Sequence, residues 1–238
     1  MISFDGHNLE DLFFVGEPEY DILPSETEFE DVPGRDGSVP KGHRWGRPSV
    51  SFTLVASGTP EERRDKFSVL GAWVNVDGAR PLVIPDTPDR YYLATHVGSL
   101  SPQRYIGDEA ARITFELAEP AAYGRSETIA VPSGGTVDIN VGGTYPTHVS
   151  IRGTVRRDPL TGLWGLRLDE GKHIQVETGS DDPRAIAVDT ELCTCSVAGA
   201  ACLPTLDSDW LELWPGPHSL RNDLGTGEVA VTWTERWL

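Results

Sequence analysis

Apolar residues recur at every second position along most of this chain, and that period constrains the fold more than any other feature. Val50, Phe52 and Leu54 alternate with Ser51 and Thr53, and Ile113, Phe115 and Leu117 alternate with Thr114 and Glu116. The same period returns at Val137/Ile139/Val141, Val149/Ile151, Leu166/Leu168, Ile174/Val176 and Val229/Val231/Trp233. Side chains on a strand point alternately to opposite faces, so each run predicts a strand with one buried face. Asp169-Glu170-Gly171-Lys172 sits between two runs and predicts a hairpin turn. The triplets Gly134-Gly135-Thr136 and Gly142-Gly143-Thr144 bracket another run as turns, not as a phosphate loop.

One segment alone has helical character. Thr59 can cap it, Pro60 suits the first turn, and Glu62 completes a Thr-x-x-Glu capping box. Phe67, Leu70, Trp73 and Val74 then share a face as core, with Arg63, Arg64 and Lys66 outside it. Asp77-Gly78 is the expected stop. The first half therefore reads strand, long loop (Ile22 to Arg47), strand, helix, strands, closing near Gly124. From Ser126 onward only strands and turns are read. The expected fold is mainly β: a β-rich domain with one α-helix at 1–124 and an antiparallel β-sandwich at 125–238. A chain of 238 residues is long enough for either one large or two small domains.

Charge narrows the partners. The formal net charge is -17, and phosphate backbones repel such a surface, so neither nucleic acid nor an anionic membrane is expected as a binding partner. A negative wall is nonetheless compatible with a conduit through which a duplex passes without sticking. Residues 1–31 hold ten acids and no Lys or Arg, whereas Arg35, Lys41, Arg44 and Arg47 follow within sixteen residues against Asp36 alone. A solvated surface with local pairing explains such a run; so does an acidic patch and a basic loop on opposite sides of one protomer, suited to head-to-tail contact. No apolar stretch is long enough for a membrane helix, and Met1 to Gly6 lacks a basic, then apolar, leader; folding in a cytoplasm is the expectation. Three cysteines fit a reducing compartment better than a disulfide framework.

Catalytic signatures are missing. The chain has no Gly-x-Ser-x-Gly elbow, Walker-type loop, His-Glu-x-x-His or EF-hand spacing, and its six His are scattered. An enzyme is not expected, and no cofactor or metal is implied. Cys193-Thr194-Cys195 with Cys202 reads either as buried free thiols on one strand face or as an incomplete three-thiolate site. Asp207-Ser208-Asp209 and Asp181-Asp182 read as a strand entry and a turn, or as calcium ligands. Trp210, Trp214, Trp233 and Trp237 crowd the end of the chain as core and subunit contact, or as a sugar-stacking platform. Trp164 and Trp214 are the residues such a platform would use.

A set of short motifs in order resembles one family. Phe4-Asp5-Gly6, Asp11 to Val15, Gly34-Arg35-Asp36-Gly37 and Leu70 to Val74 are followed by Leu82-Val83-Ile84 with Asp86 and by Arg90 to Ala94. Ile113 to Pro120 with Tyr123-Gly124, Tyr145 to Gly153, Asp209 to Gly216 and Trp233 to Trp237 complete the series. Together they resemble the distal tail proteins of long, non-contractile-tailed phages. The resemblance implies a hexameric ring made by the N-terminal domains, joining tail tube to tip and leaving a channel for DNA. It also implies an outward, galectin-like or carbohydrate-module-like sandwich. Its partners would be the tail tube protein, the tape measure protein and the tail-tip hub or tail-associated lysin. The location would be the virion's tail tip, after assembly in the host bacterial cytoplasm. Nothing from the family is carried onto Phe29 to Asp31 or onto the cysteines.

The long loop is the expected clasp between protomers, since loops of that length are usually functional. Its interface residues would be Glu26, Glu28, Glu30, Arg35, Asp36, Arg44 and Arg47. The alternative from another class is a carbohydrate-binding module or lectin-like adhesin acting in host attachment.

Overall fold

The computed structural model describes residues 1–21, 25–105, 107–169 and 171–238, without the side chains of Ser25, His43 and Trp45. The chain divides into two compact units, Met1–Ala122 and Tyr123–Leu238.

The first unit is built on a nine-stranded antiparallel sheet. Its strands run in the order His7–Asn8, Ser3–Phe4, Arg80–Val83, Tyr92–Val97, Asp108–Leu117, Ser49–Ser57 and Phe14–Val15. Gln103–Arg104 also pairs with Asp108–Leu117, and Glu19–Asp21 with Ser49–Ser57. The two long central strands place Phe52 opposite Ile113 and Val50 opposite Phe115. Phe4, Phe52, Leu54, Ile113 and Phe115 are almost wholly buried, as the alternation predicts. Each such side chain contributes about 1.5–3 kcal/mol by leaving water.

The helix spans Pro60–Val74, with the Thr59/Glu62 capping box formed in both directions. Leu70 and Val74 are buried, while Phe67 and Trp73 are half-buried at the core margin, Trp73 stacked on His7 at 4.5 Å. Arg63 departs from expectation: it is buried, not outside. Its guanidinium donates to the Gly58 and Gly107 carbonyls at 2.5 and 2.8 Å and faces Glu109 at 3.6 Å. A charge can be buried when it is paired and hydrogen-bonded, and here it ties the start of the helix to a distant turn.

The second unit is the expected sandwich. One sheet has seven strands: Ala122–Val131, Val229–Trp237, Thr147–Val155, Arg184–Asp189, Thr194–Val197 and Ala200–Cys202, with Glu212–Leu213 joined to Thr147–Val155. The other has four, in the order Thr136–Val141, Gly216–Leu224, Leu163–Leu168 and Lys172–Glu177. Leu163–Leu168 and Lys172–Glu177 form the hairpin read around Asp169; Glu170 lies outside the described residues.

Asn222 links the two layers from within the core. Fully buried, it accepts from Trp164 Nε1 at 3.1 Å and donates to the Val131 and Gly227 carbonyls at 3.2 and 2.7 Å. Gly143 has a tighter role than a turn. It sits at φ +105°, and a Cβ there would lie 2.3 Å from the Arg236 carbonyl oxygen. Only glycine admits so close an approach by the strand Val229–Trp237.

Candidate functional site

The stretch read as a long loop is largely a two-stranded antiparallel arm. Ser25–Asp31 pairs with Ser38–Trp45 as a sheet of its own. Ile22, Leu23 and Pro24 lie outside the described residues. On the near side of them, Glu19 to Asp21 pair with Ser51 to Ser49; on the far side Ser25 pairs with Trp45 in the same register. The two pairings thus share one register, although the arm is a sheet of its own. A bulge between Glu28 and Phe29 shifts the register beyond that point. The arm escaped the periodicity because neither of its faces is buried. Glu26, Glu28, Phe29, Glu30 and Asp31 are all exposed, so apolar and polar residues have no reason to alternate.

Gly34-Arg35-Asp36-Gly37 forms the tip. Val32 accepts from the Arg35 amide at 3.1 Å, and both glycines have positive φ, +83° and +82°. The tip side chains of Arg35 and Asp36 face solvent. Phe29 and Val32 bring 65% and 43% exposed apolar surface to the same end.

Charges on the arm pair locally, one of the two readings that the charge run allowed. Arg44 pairs with Glu26 across the two strands, Nε to Oε2 at 2.7 Å, and Lys41 with Glu30 at 3.3 Å. Glu26 and Glu30 therefore face Arg44 and Lys41 within one hairpin. Adjacent strands hold residues close enough for such pairs to form locally. Arg47, at the arm's root, pairs with Glu116 of the sheet at 3.6 Å. The root is fixed further by Arg112–Glu19 at 2.8 Å and by the Tyr20 hydroxyl, which hydrogen-bonds Asp86. Burial and then the Asp86 carboxylate push the Tyr20 phenol well above its ordinary value, so it stays a donor.

Of the two sugar-stacking candidates, the structure overturns Trp164. Its side chain is 0% exposed and hydrogen-bonded inside the sandwich, so it offers no face to a ligand. Trp214 is 58% exposed, and its carbonyl is hydrogen-bonded to His218 Nε2 at 2.6 Å. Trp233 is core and Trp210 packs against the core, so these tryptophans form no common platform. Cys193 lies in a turn at φ +51° and is exposed, not on the strand face with buried Cys195. Asp181 is bound to Arg157 at 2.7 Å, and Asp209 accepts from the His173 amide at 3.2 Å. Among the described residues no group of three His, Cys, Asp or Glu is placed to hold a metal ion.

Sequence reading missed a cleft on the seven-stranded sheet of the second unit. Tyr123, His148, Asp189, Glu191, Thr234 and Arg236 line it. Arg236 lies over the rings of Tyr123 and Tyr145 at 5.1 and 5.2 Å, and burial pushes its guanidinium below the ordinary arginine value. Beside it, Ser126 meets Thr234 at 2.7 Å and Thr128 meets Thr232 at 2.9 Å, a hydroxyl-lined face. Tyr123, Tyr145, His148, Thr234 and Arg236 lie within motifs quoted above, but nothing local brings them together, because they converge from strands far apart in sequence.

Residues 142–237 match the family model described as the siphovirus-type tail component, C-terminal domain. The chain also superposes on the crystal structure of SPP1 Dit, described as a paradigm of hub adsorption apparatus in Gram-positive infecting phages. The TM-score is 0.80 at 20% identity, over 100% of this chain and 98% of that one. A chain of the phage p2 baseplate in its activated conformation with Sr gives a TM-score of 0.46 at 12% identity, over 91% and 90%. No curated protein sequence matches. The chain has the SPP1 Dit fold throughout.

Proposed function

We infer, from the siphovirus-type tail component domain on residues 142–237, that this chain is a distal tail protein and a structural part of a phage tail hub or baseplate, not a catalyst. Copies of it close into a ring of six through their first units, between tail tube and tail tip, and leave a channel for DNA. The tail tube protein, the tape measure protein and the tail-tip hub or lysin are its neighbours in the virion. The description of SPP1 Dit as a paradigm of hub adsorption apparatus supports this reading.

The arm is the physical argument for self-association. An isolated two-stranded hairpin is at best marginally stable in water, because it has no second layer to bury a face against. Here the arm forms a separate sheet with exposed Phe29 and Val32 near its end. A heterologous contact with the next protomer supplies the missing surface, and repeating that contact closes a ring. Arg35 and Asp36 are the charges the arm presents at its tip and Glu28 one that it presents midway, whereas Glu26, Glu30 and Arg44 chiefly hold its own strands together.

Negative-stain imaging and native mass spectrometry of the purified chain test this reading. Rings with a central hole are the expected result, lost when residues 26–44 are replaced by a two-residue turn. A full-length protein that remains strictly monomeric at high concentration refutes the assignment. The adhesin alternative now rests on Trp214 alone, and a glycan array on the wild type and Trp214→Ala decides it.

A further inference from the structure

We propose that Cys195 and Cys202 are a disulfide-forming pair, closed by a small-molecule disulfide such as oxidised glutathione. The two residues stand directly opposite one another on the strands Thr194–Val197 and Ala200–Cys202. A two-residue turn at Ala198-Gly199, with φ +50° and +80°, fixes that register, as tight hairpins with both central residues at positive φ do. Directly opposed residues of an antiparallel pair stand roughly 4.5–5.5 Å apart at Cα, inside the range of about 4.4–6.8 Å over which disulfides close. The two sulfurs already lie 3.2 Å apart. Cys193 is held elsewhere, its Sγ 3.7 Å from the Thr190 carbonyl, and opposes neither of the others.

The surroundings assign an order to the two thiols. Cys202 is half-buried and lines an open cleft with Glu177, Thr178, Arg184, Val197 and Ala201, so a small disulfide reaches it from solvent. Cys195 belongs to the sandwich core at 5% exposure and meets Cys202 at the core's margin. The Cys202 thiolate attacks one sulfur of the oxidant, forms a mixed disulfide and releases one small thiol. The Cys195 thiolate then attacks Cys202 Sγ, closes the protein disulfide and releases the second small thiol. Two protein thiols are oxidised, one small disulfide is reduced to two thiols, and the two protons leave with them.

Burial, and then contact with Cys202, pushes the Cys195 thiol up to about 12, so its thiolate is scarce near neutrality. The closing step is therefore slow at pH 7 and accelerates with pH. The product staples Ala200–Cys202, an edge strand of the seven-stranded sheet, to its neighbour. Edge strands are where sheets pair wrongly with other chains, and a covalent tie keeps this one in place.

The full chain and its Cys193→Ser variant are incubated with oxidised glutathione at pH 7 and pH 8, then read by intact mass and peptide mapping. Both are expected to yield a cross-link joining Cys195 to Cys202 and lacking two hydrogens. The Cys202 adduct should convert to it roughly tenfold faster at the higher pH, as a scarce thiolate requires. Cys195→Ala is expected to trap glutathione on Cys202. A folded Cys193→Ser protein that keeps both thiols, or that retains glutathione on Cys202 beside a free Cys195, overturns the proposal.

Discussion

Replacing Asn222 by leucine keeps the side chain's approximate size and removes the three hydrogen bonds that the carboxamide makes in the sandwich core. The Trp164 indole N–H loses its acceptor, and the Val131 and Gly227 carbonyls lose a donor. A buried polar group left without its partner costs about 1–3 kcal/mol, which sets the loss from three such groups at roughly 3–6 kcal/mol once accessible water relieves the least buried. Burying the leucine returns about 1.5–2 kcal/mol. The net expectation is a destabilisation of about 3 kcal/mol, a large share of the roughly 5–15 kcal/mol that holds a domain folded. Urea unfolding followed by tryptophan fluorescence measures it, because five of the seven tryptophans (Trp164, Trp210, Trp214, Trp233 and Trp237) lie in the second unit. The midpoint should fall with the slope unchanged. Adding Trp164→Phe removes the orphaned donor, so the double variant should be more stable than additivity allows by about 1–2 kcal/mol. A midpoint for Asn222→Leu within about 0.5 kcal/mol of wild type, or strictly additive effects, refutes the view that Asn222 joins the layers.

Phe29→Ala leaves folding unchanged, since the ring is 65% exposed, but weakens self-association about 10- to 100-fold in sedimentation velocity if the arm docks on a neighbour; an unaltered assembly denies the arm that role. Gly143→Ala forces a Cβ to 2.3 Å from the Arg236 oxygen at a φ that L-residues avoid, and calorimetry should show the second unit melting roughly 5–10 °C lower. Partial burial raises the Asp169 carboxyl, but the hydrogen bonds it accepts from His218 and the Ser219 amide outweigh this and hold it below its ordinary value. A depressed carboxyl contributes stability above its unfolded pKa of about 3.9 and loses it as pH falls through the lower folded value. The gap between the urea midpoints of wild type and Asp169→Asn should therefore close on acidification below about pH 4, and a gap that widens there contradicts the pairing.

Where one face of a strand is buried, its period announces it, and Val50/Phe52/Leu54, Ile113/Phe115/Leu117 and Val229/Val231/Trp233 all point inward as read. The helix was equally legible, because Thr59, Pro60 and Glu62 carry its start in local chemistry that tertiary contacts do not alter. The arm was read as loop for the opposite reason. Its strands are held by their own ladder and by pairs such as Glu26–Arg44, and with no buried face there is no hydrophobic signal. Arg63 and Trp164 show a second limit. A guanidinium goes inside when distant carbonyls such as that of Gly107 await it, and an indole when Asn222 supplies an acceptor fifty-eight residues away. Neither partner is visible in the local sequence. Cys193 marks a third, since a residue at φ +51° leaves the strand whose alternation had placed it beside Cys195.

The strand Val229–Trp237 lies inside its sheet, between Ala122–Val131 and Thr147–Val155, although every other described strand of the sandwich precedes it in the chain. During synthesis a ribosome must therefore deliver more than a hundred residues of the second unit before the layer has its keystone. Until then, the hydrogen-bonding edge of Thr147–Val155 and the apolar faces of Val149 and Ile151 stand open to whatever else is nearby. The first unit draws on none of that late segment for its sheet, so it can mature while translation continues. Nascent chains stalled before Val229 should accordingly recruit holding chaperones, whereas those extended past Trp237 and clear of the exit tunnel should release them.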